Sequence, residues 1–217
     1  MRSGMTRDLG VCLLAATCAC AGAPVASSAT PGPPELPPLA VIVLKPAIRF
    51  QQVQDESEMA VPPEARAAFE VKLLGAAVRA VEGSGQAMAS LPADAETAAT
   101  LAPLVAAGPR LARGLPRDDA LAAMRRLAAA SRDSAVLAHS LEASVGSGGT
   151  WNPYSGAITS SMSRTVIRAA LVRCSSGEVL WSQQVQLRDL PSVASTGLDE
   201  TLTALYASFP RKAVKAP

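Results

Sequence analysis

The sequence predicts an α/β fold, a single sandwich of two or three layers around a mixed sheet. The sheet is parallel at its start and an antiparallel meander at its end. Three observations predict this. Residues 39–44, Leu-Ala-Val-Ile-Val-Leu, form an unbroken apolar run of strand length, as a central strand covered on both faces does. Ala-rich stretches of helical period separate that run from the next long strand pattern. Three strand-like segments then fill 135–190 with no helical pattern between them, which is the order of a meander.

The elements follow in turn. Pro46 ends the first strand, and 49–61, holding Asp55, Glu56 and Glu58, reads as a polar loop. Pro62 and Pro63 open a helix, where the missing proline N–H has no intrahelical partner to lose. Phe69, Leu73, Ala76, Ala77 and Ala80 form its apolar stripe, and Gly83-Ser84-Gly85 stops it. A short strand is expected over 86–91, and an Ala-rich helix over 92–107 that breaks near Pro103 and Gly108. A further helix over 117–131 turns Leu121, Met124, Leu127 and Ala128 inward. In the strand 135–145, Leu137, His139, Leu141, Ala143 and Val145 share one face, and Ser140, Glu142 and Ser144 the other. A Gly- and Ser-rich connection leads to the strand 163–174, and Ser175-Ser176-Gly177 is a tight turn. Over 178–190, Val179, Trp181, Val185 and Leu187 alternate with Ser182, Gln184, Gln186 and Arg188. A helix over 198–208 closes the domain.

The amino-terminal forty residues speak to location. Arg2 and Arg7 precede a short apolar stretch that runs into Thr17-Cys18-Ala19-Cys20-Ala21-Gly22. Positive charge, a short apolar core and small residues at its end are the parts of an export signal. The core is too short to span a bilayer, which takes about 20 residues. Residues 1–20 therefore read as a signal peptide with a lipobox-like end and 21–38 as a disordered Pro/Ala/Ser-rich tether. Residues 39–209 read as one α/β domain and 210–217 as a basic tail. Two processing routes stay open. Leu14-Ala15-Ala16-Thr17-Cys18 is a loose lipobox, with Cys20 as a second acceptor, and two or three acyl chains would hold the protein on the membrane. Alternatively, cleavage at Ala19-Cys20-Ala21 releases a soluble periplasmic or secreted product. Neither residue following the candidate Cys is Asp, which favours the outer membrane.

Composition excludes several classes. Twenty Lys and Arg stand against 18 Asp and Glu, a net charge of +2, so nothing recruits nucleic acid electrostatically. Three Phe, two Tyr and two Trp supply no base-stacking platform. With one His and one cysteine, Cys174, inside the folded part, neither a zinc site nor a disulfide framework can be assembled. No cofactor is expected. A serine hydrolase would have to use His139, which lies on an apolar strand face with no Gly-x-Ser-x-Gly turn in the chain. A buried, hydrogen-bonded core histidine is expected instead. Gly146-Ser147-Gly148-Gly149 lacks the Lys-Ser/Thr of a phosphate loop and leads to a strand. Asp94, Glu96, Asp118 and Asp119 stand where helices begin, and carboxylates there suit the helix dipole. Thr150-Trp151-Asn152-Pro153-Tyr154-Ser155-Gly156 sets two large aromatics on a polar hairpin tip. Trp151, Asn152 and Tyr154 are therefore candidate partner-binding residues; the alternative folds Trp151 back over the sheet edge.

The carboxy-terminal half carries a resemblance. Gly177-Glu178-Val179-Leu180-Trp181 after a Gly-rich hairpin, together with Ala40-Val41-Ile42-Val43-Leu44-Lys45-Pro46, resembles periplasmic lipoproteins related to the TolB amino-terminal domain and the curli-secretion CsgG family. The likeness spans residues 39–208. In the last motif Gly177 permits the turn and Trp181 fills the core beneath it. The resemblance implies a non-enzymatic envelope module that binds other proteins or assembles, and it carries over no catalytic residue. Neither the TolB propeller nor the pore-forming strands of CsgG have a counterpart in this sequence, so neither specific activity is transferred. The expected function is thus a lipid-anchored assembly or interaction module, partnered by an envelope protein or by itself. One alternative is a small-ligand or glycan-binding module with a pocket at the carboxyl ends of the parallel strands, near residues 45–50 and Leu91. The other is a hydrolase using His139.

Overall fold

The computed structural model describes residues 32–52, 58–89, 91, 94–130, 133–146, 149–152, 157–159, 163–189 and 192–213, with the backbone alone at 130, 151 and 157–159. In chain order the elements are β1 (Glu35–Leu36), β2 (Ala40–Val43), β3 (Ala47–Gln52), α1 (Pro63–Ser84), β4 (Ala87–Met88), α2 (Ala95–Ala106), α3 (Gly108–Leu111) and α4 (Asp118–Ala130). They continue with β5 (Ser134–Val145), β6 (Thr150–Asn152), β7 (Ala157–Thr159), β8 (Ser163–Arg173), β9 (Val179–Leu187), α5 (Thr196–Tyr206) and β10 (Arg211–Lys212).

The main sheet runs β4-β2-β5-β8-β9, with β3 also on β5. β2 is parallel to β4 and β5, and β3 is parallel to β5. The β5–β8 and β8–β9 pairs are antiparallel. This is the predicted α/β fold with its mixed sheet. Strand β5 is its axis because its side chains are apolar on both faces over the first half: Ala135, Val136, Leu137 and Ala138 are all fully buried. Odd-numbered β5 residues pack under α1 and α5 with Phe69, Leu73, Leu198 and Leu202. Val136 and Ala138 pack under α2, α3 and α4 with Leu104, Leu111 and Met124. The layers are therefore helix, sheet, helix.

The segment 49–61, expected as a polar loop, begins instead as strand. Ile48 and Phe50 of β3 are buried, while Arg49 is exposed and Gln51 half-buried. Polar residues on one face concealed a half-buried strand. Pro46 interrupts the ladder without ending it. Val43 pairs with Leu137 and Ala47 with Ser140, so Leu44-Lys45-Pro46 stand opposite Ala138-His139. Three residues against two is a bulge. It reverses the alternation: Val41 enters the α1/α5 core before it, Ile48 and Phe50 after it.

Two short segments lie outside the domain limits read from the sequence. Glu35 and Leu36 pair in parallel with Arg211 and Lys212. Among the described residues, no helix is long and apolar enough to cross a membrane.

Candidate functional site

The residues singled out in the sequence fall in three places. Cys18, Cys20 and Tyr154 lie outside the described residues. Trp151 and Asn152 belong to β6, which pairs with β7 so that Trp151 faces Ile158 and Asn152 faces Ala157 in register. Gly177 and Trp181 are at the β8–β9 hairpin. Gly177 has φ +75°, a left-handed conformation that favours glycine, and its N–H donates to the Arg173 carbonyl at 2.9 Å. A Cβ on Gly177 would run into the Leu121 side chain.

Trp181 begins a chain of contacts across the α1/α5 face. Its ring stacks on Tyr206 at 5.9 Å and meets Phe209 edge-on at 5.1 Å. Its Nε1–H donates to Ser208 Oγ at 3.2 Å. The Tyr206 hydroxyl lies 3.1 Å from His139 Nδ1, and His139 Nε2 lies 2.8 Å from the Leu44 carbonyl oxygen. A carbonyl only accepts, so Nε2 carries the proton and Nδ1 accepts from Tyr206. Both imidazole nitrogens are thus used, and the ring bridges the β2–β3 bulge to α5. Burial pushes the His139 pKa down to about 4, against the Leu44 carbonyl, which favours the protonated ring. The same burial pushes the Tyr206 hydroxyl well above its ordinary range. At neutral pH His139 is a neutral pin with no lone pair left for a serine. Cys174 is fully buried, and burial raises its thiol against the opposing effect of Ser134, the setting of an inert cysteine. Among the described residues no group of three His, Cys, Asp or Glu is placed to hold a metal.

Two surfaces stand out among the described residues. The first is the outer edge of β9, the last described strand in the sheet order. Its nine residues, Val-Leu-Trp-Ser-Gln-Gln-Val-Gln-Leu, include no proline and no charge. The second is the face of the sheet beyond the reach of α2 and α4. There Glu142 accepts from Arg113 at 2.7 and 2.8 Å and from Arg168 at 2.7 Å. Burial raises the Glu142 carboxyl, but the two guanidinium groups outweigh it and hold the pKa below its ordinary value. Sequence reading placed Glu142 on the polar face of its strand but missed its arginine partners, which come from separate elements. The alternation that hid β3 was the one available signal for Arg49 on this same side.

No family model and no curated protein matches the chain. Among solved structures it is similar to lipoprotein GNA1162 of Neisseria meningitidis, at 16% identity over 77% of this chain and 92% of that one, TM-score 0.36. It is similar to the PelC dodecamer of Paraburkholderia phytofirmans, at 16% identity over 84% and 96%, TM-score 0.37. The carboxy-terminal domain of LpoB from Salmonella enterica follows at 12% identity over 70% and 85%, TM-score 0.32. At these values the likenesses assign neither family nor activity.

Proposed function

We propose that this chain is an exported envelope protein, anchored through acyl chains on Cys18 or Cys20, whose α/β domain is a non-enzymatic assembly module. It joins a protein partner or a second copy by adding a strand to β9. The observation that supports this reading is the β9 edge. An edge strand offers a row of backbone donors and acceptors, and monomeric proteins blunt such edges with proline, lysine or a bulge along the exposed side. Val179–Leu187 has no proline or charge, and the register shift of the β8–β9 pair falls at its very start, beside Val172. At about 3.3 Å per residue the edge is roughly 30 Å long. Strand addition takes its affinity from that backbone and its specificity from alternate side chains.

Neighbouring residues of a strand aim their backbone groups at opposite edges. Of the pair Ser182→Pro and Gln183→Pro, one therefore breaks the bond to β8 and lowers stability, while the other removes a donor from the outer edge alone. In sedimentation and in-cell photo-crosslinking from position 183, the wild-type chain is expected to associate. The stable member of the pair is expected to lose that association. A wild-type chain that stays monomeric and forms no cross-link overturns the proposal. Mass spectrometry of the mature amino terminus tests the anchor: an acylated Cys18 or Cys20 is expected, and an unmodified terminus beyond Cys20 removes that part.

A further inference from the structure

We infer that a cavity between β3, α3 and the start of α4 binds a phosphate ester of sugar-phosphate size through arginine side chains. The cavity encloses about 350 Å³, and Arg49, Arg110, Arg113, Arg117, Pro109 and Asp119 are among its lining residues. That volume lies in the range of small-ligand sites.

The charge balance points to an anion. Four guanidinium groups face one carboxylate, and that carboxylate is already engaged. Asp119 Oδ1 accepts from the Ala120 N–H at 2.9 Å and stands 3.7 Å from Arg117 Nε. The next acid, Glu142, holds Arg113 and Arg168. Arg49 and Arg110 form no ion pair or side-chain hydrogen bond with any described residue. Clustered like charges raise the energy of the empty cavity, and a bound anion offsets that. Three forks without a strong partner, those of Arg49, Arg110 and Arg117, suit the several oxygens of a phosphate better than the two of a carboxylate. A planar guanidinium also engages phosphate oxygens in pairs.

The backbone beneath these arginines is held in place. Pro109 stands in the first turn of α3. The chain leaves that helix by a Schellman turn: Leu115 N–H donates to Arg110 O at 2.9 Å, and Gly114 N–H to Leu111 O at 2.8 Å. Gly114 takes φ +71° to do so. Arg110 and Arg113 are thus carried by a closed turn and Arg49 by a paired strand. Arg49 also falls in the segment 45–50, where the alternative ligand-binding reading expected a pocket.

The test uses the full chain with Cys18→Ser and Cys20→Ser, which removes both candidate anchors. Glucose 6-phosphate, with glucose as the neutral control, is titrated calorimetrically. Vesicles of phosphatidylcholine with and without phosphatidic acid give a second arm. Saturable binding of glucose 6-phosphate and none of glucose is expected. Arg49→Gln and Arg110→Gln should each weaken it about tenfold, a charge-assisted hydrogen bond's worth. Arg164→Gln, on β8 outside the cavity, should leave it unchanged. Asp119→Asn should tighten binding, a gain that misfolding cannot produce. If glucose 6-phosphate fails but phosphatidic acid vesicles bind, and both Arg49→Gln and Arg110→Gln abolish that, the phosphate belongs to a lipid headgroup. The inference is overturned if neither phosphate probe binds. It is equally overturned if Arg164→Gln weakens binding as much as Arg110→Gln, or if vesicle binding survives both cavity substitutions.

Discussion

On the α1/α5 side the sheet is covered along its length; on the α2–α4 side it is covered over half. Under α1 and α5, β5 buries Leu137, Leu141, Ala143 and Val145 in one continuous core with Ile48, Phe50 and Ile167. Under α2–α4 the apolar pairing stops after Ala138, and Glu142, Arg168 and Gln184 take over. The aromatics divide the same way: Phe50, Phe69, Trp181, Tyr206 and Phe209 all lie in the first core, while the second is built from Ala, Leu, Val, Ile, Met and Cys. The difference teaches where function has room. A face sealed with large side chains can serve stability alone, whereas a face left half bare keeps its charged groups available.

The largest expected effect tests that asymmetry directly. Phe69 has 0% exposure and packs on Phe50 at 6.0 Å. Phe69→Ala should cost about 3–5 kcal/mol of unfolding free energy, while Gln184→Ala on the bare face should stay within about 0.5 kcal/mol. Denaturant titrations giving similar costs would erase the contrast between the faces.

Acid probes the same sealed face. His139 is held at about pKa 4 against an ordinary 6.5, so the unfolded chain binds its proton more readily. Its contribution is complete above pH 6.5, falls as pH drops toward 4, and is flat below; the full loss is about 3 kcal/mol. Glu142, with its pKa lowered, adds a loss that begins only as pH falls through the ordinary carboxylate range. Unfolding midpoints between pH 7.5 and 5 should therefore fall in the wild type, and the slope should vanish in His139→Gln. A slope that persists in the variant would place the titrating group elsewhere.

On the bare face the effects are smaller. Glu142→Gln should destabilise by about 1–2 kcal/mol, since its charge-assisted bonds to two arginines go but solvent screens the arginines left behind. It should also tighten phosphate binding by freeing Arg113, so a calorimetric titration in which it weakens binding would contradict the cavity's charge balance. Gly114→Ala comes next, at about 1 kcal/mol from the left-handed backbone. Its new Cβ would stand 3.2 Å from Val179 Cγ2, so the loss should show in thermal melts as well as in anion affinity.

Much of the fold was legible because it rests on local period. The alternation of β5 and β9, the stripe of α1 and the glycine stops all depend on residues a few positions apart. What was missed depends on distant ones. Strand β3 was hidden because Arg49 and Gln51 look like loop, and the reversal of its face at Leu44-Lys45-Pro46 follows from the Ser134–Val145 strand it pairs with. The pairing of Glu35–Leu36 with Arg211–Lys212 joins chain ends too short to carry a pattern. The left-handed turn at Gly177 and the burial of Trp181 follow from turn chemistry and core size. His139 was legible as a core histidine, although its partners Leu44 and Tyr206 were not.

By itself, then, the sequence determined the mixed sheet and the order of its longer elements, because hydrophobic period and turn residues act within a few positions. Only the tertiary structure decided which strand became the bare edge, how far the helices reached, and that Arg49, Arg110 and Arg117 line one cavity. Those outcomes come from packing between segments some sixty residues apart, where loop closure and side-chain volume decide and no local pattern records the result.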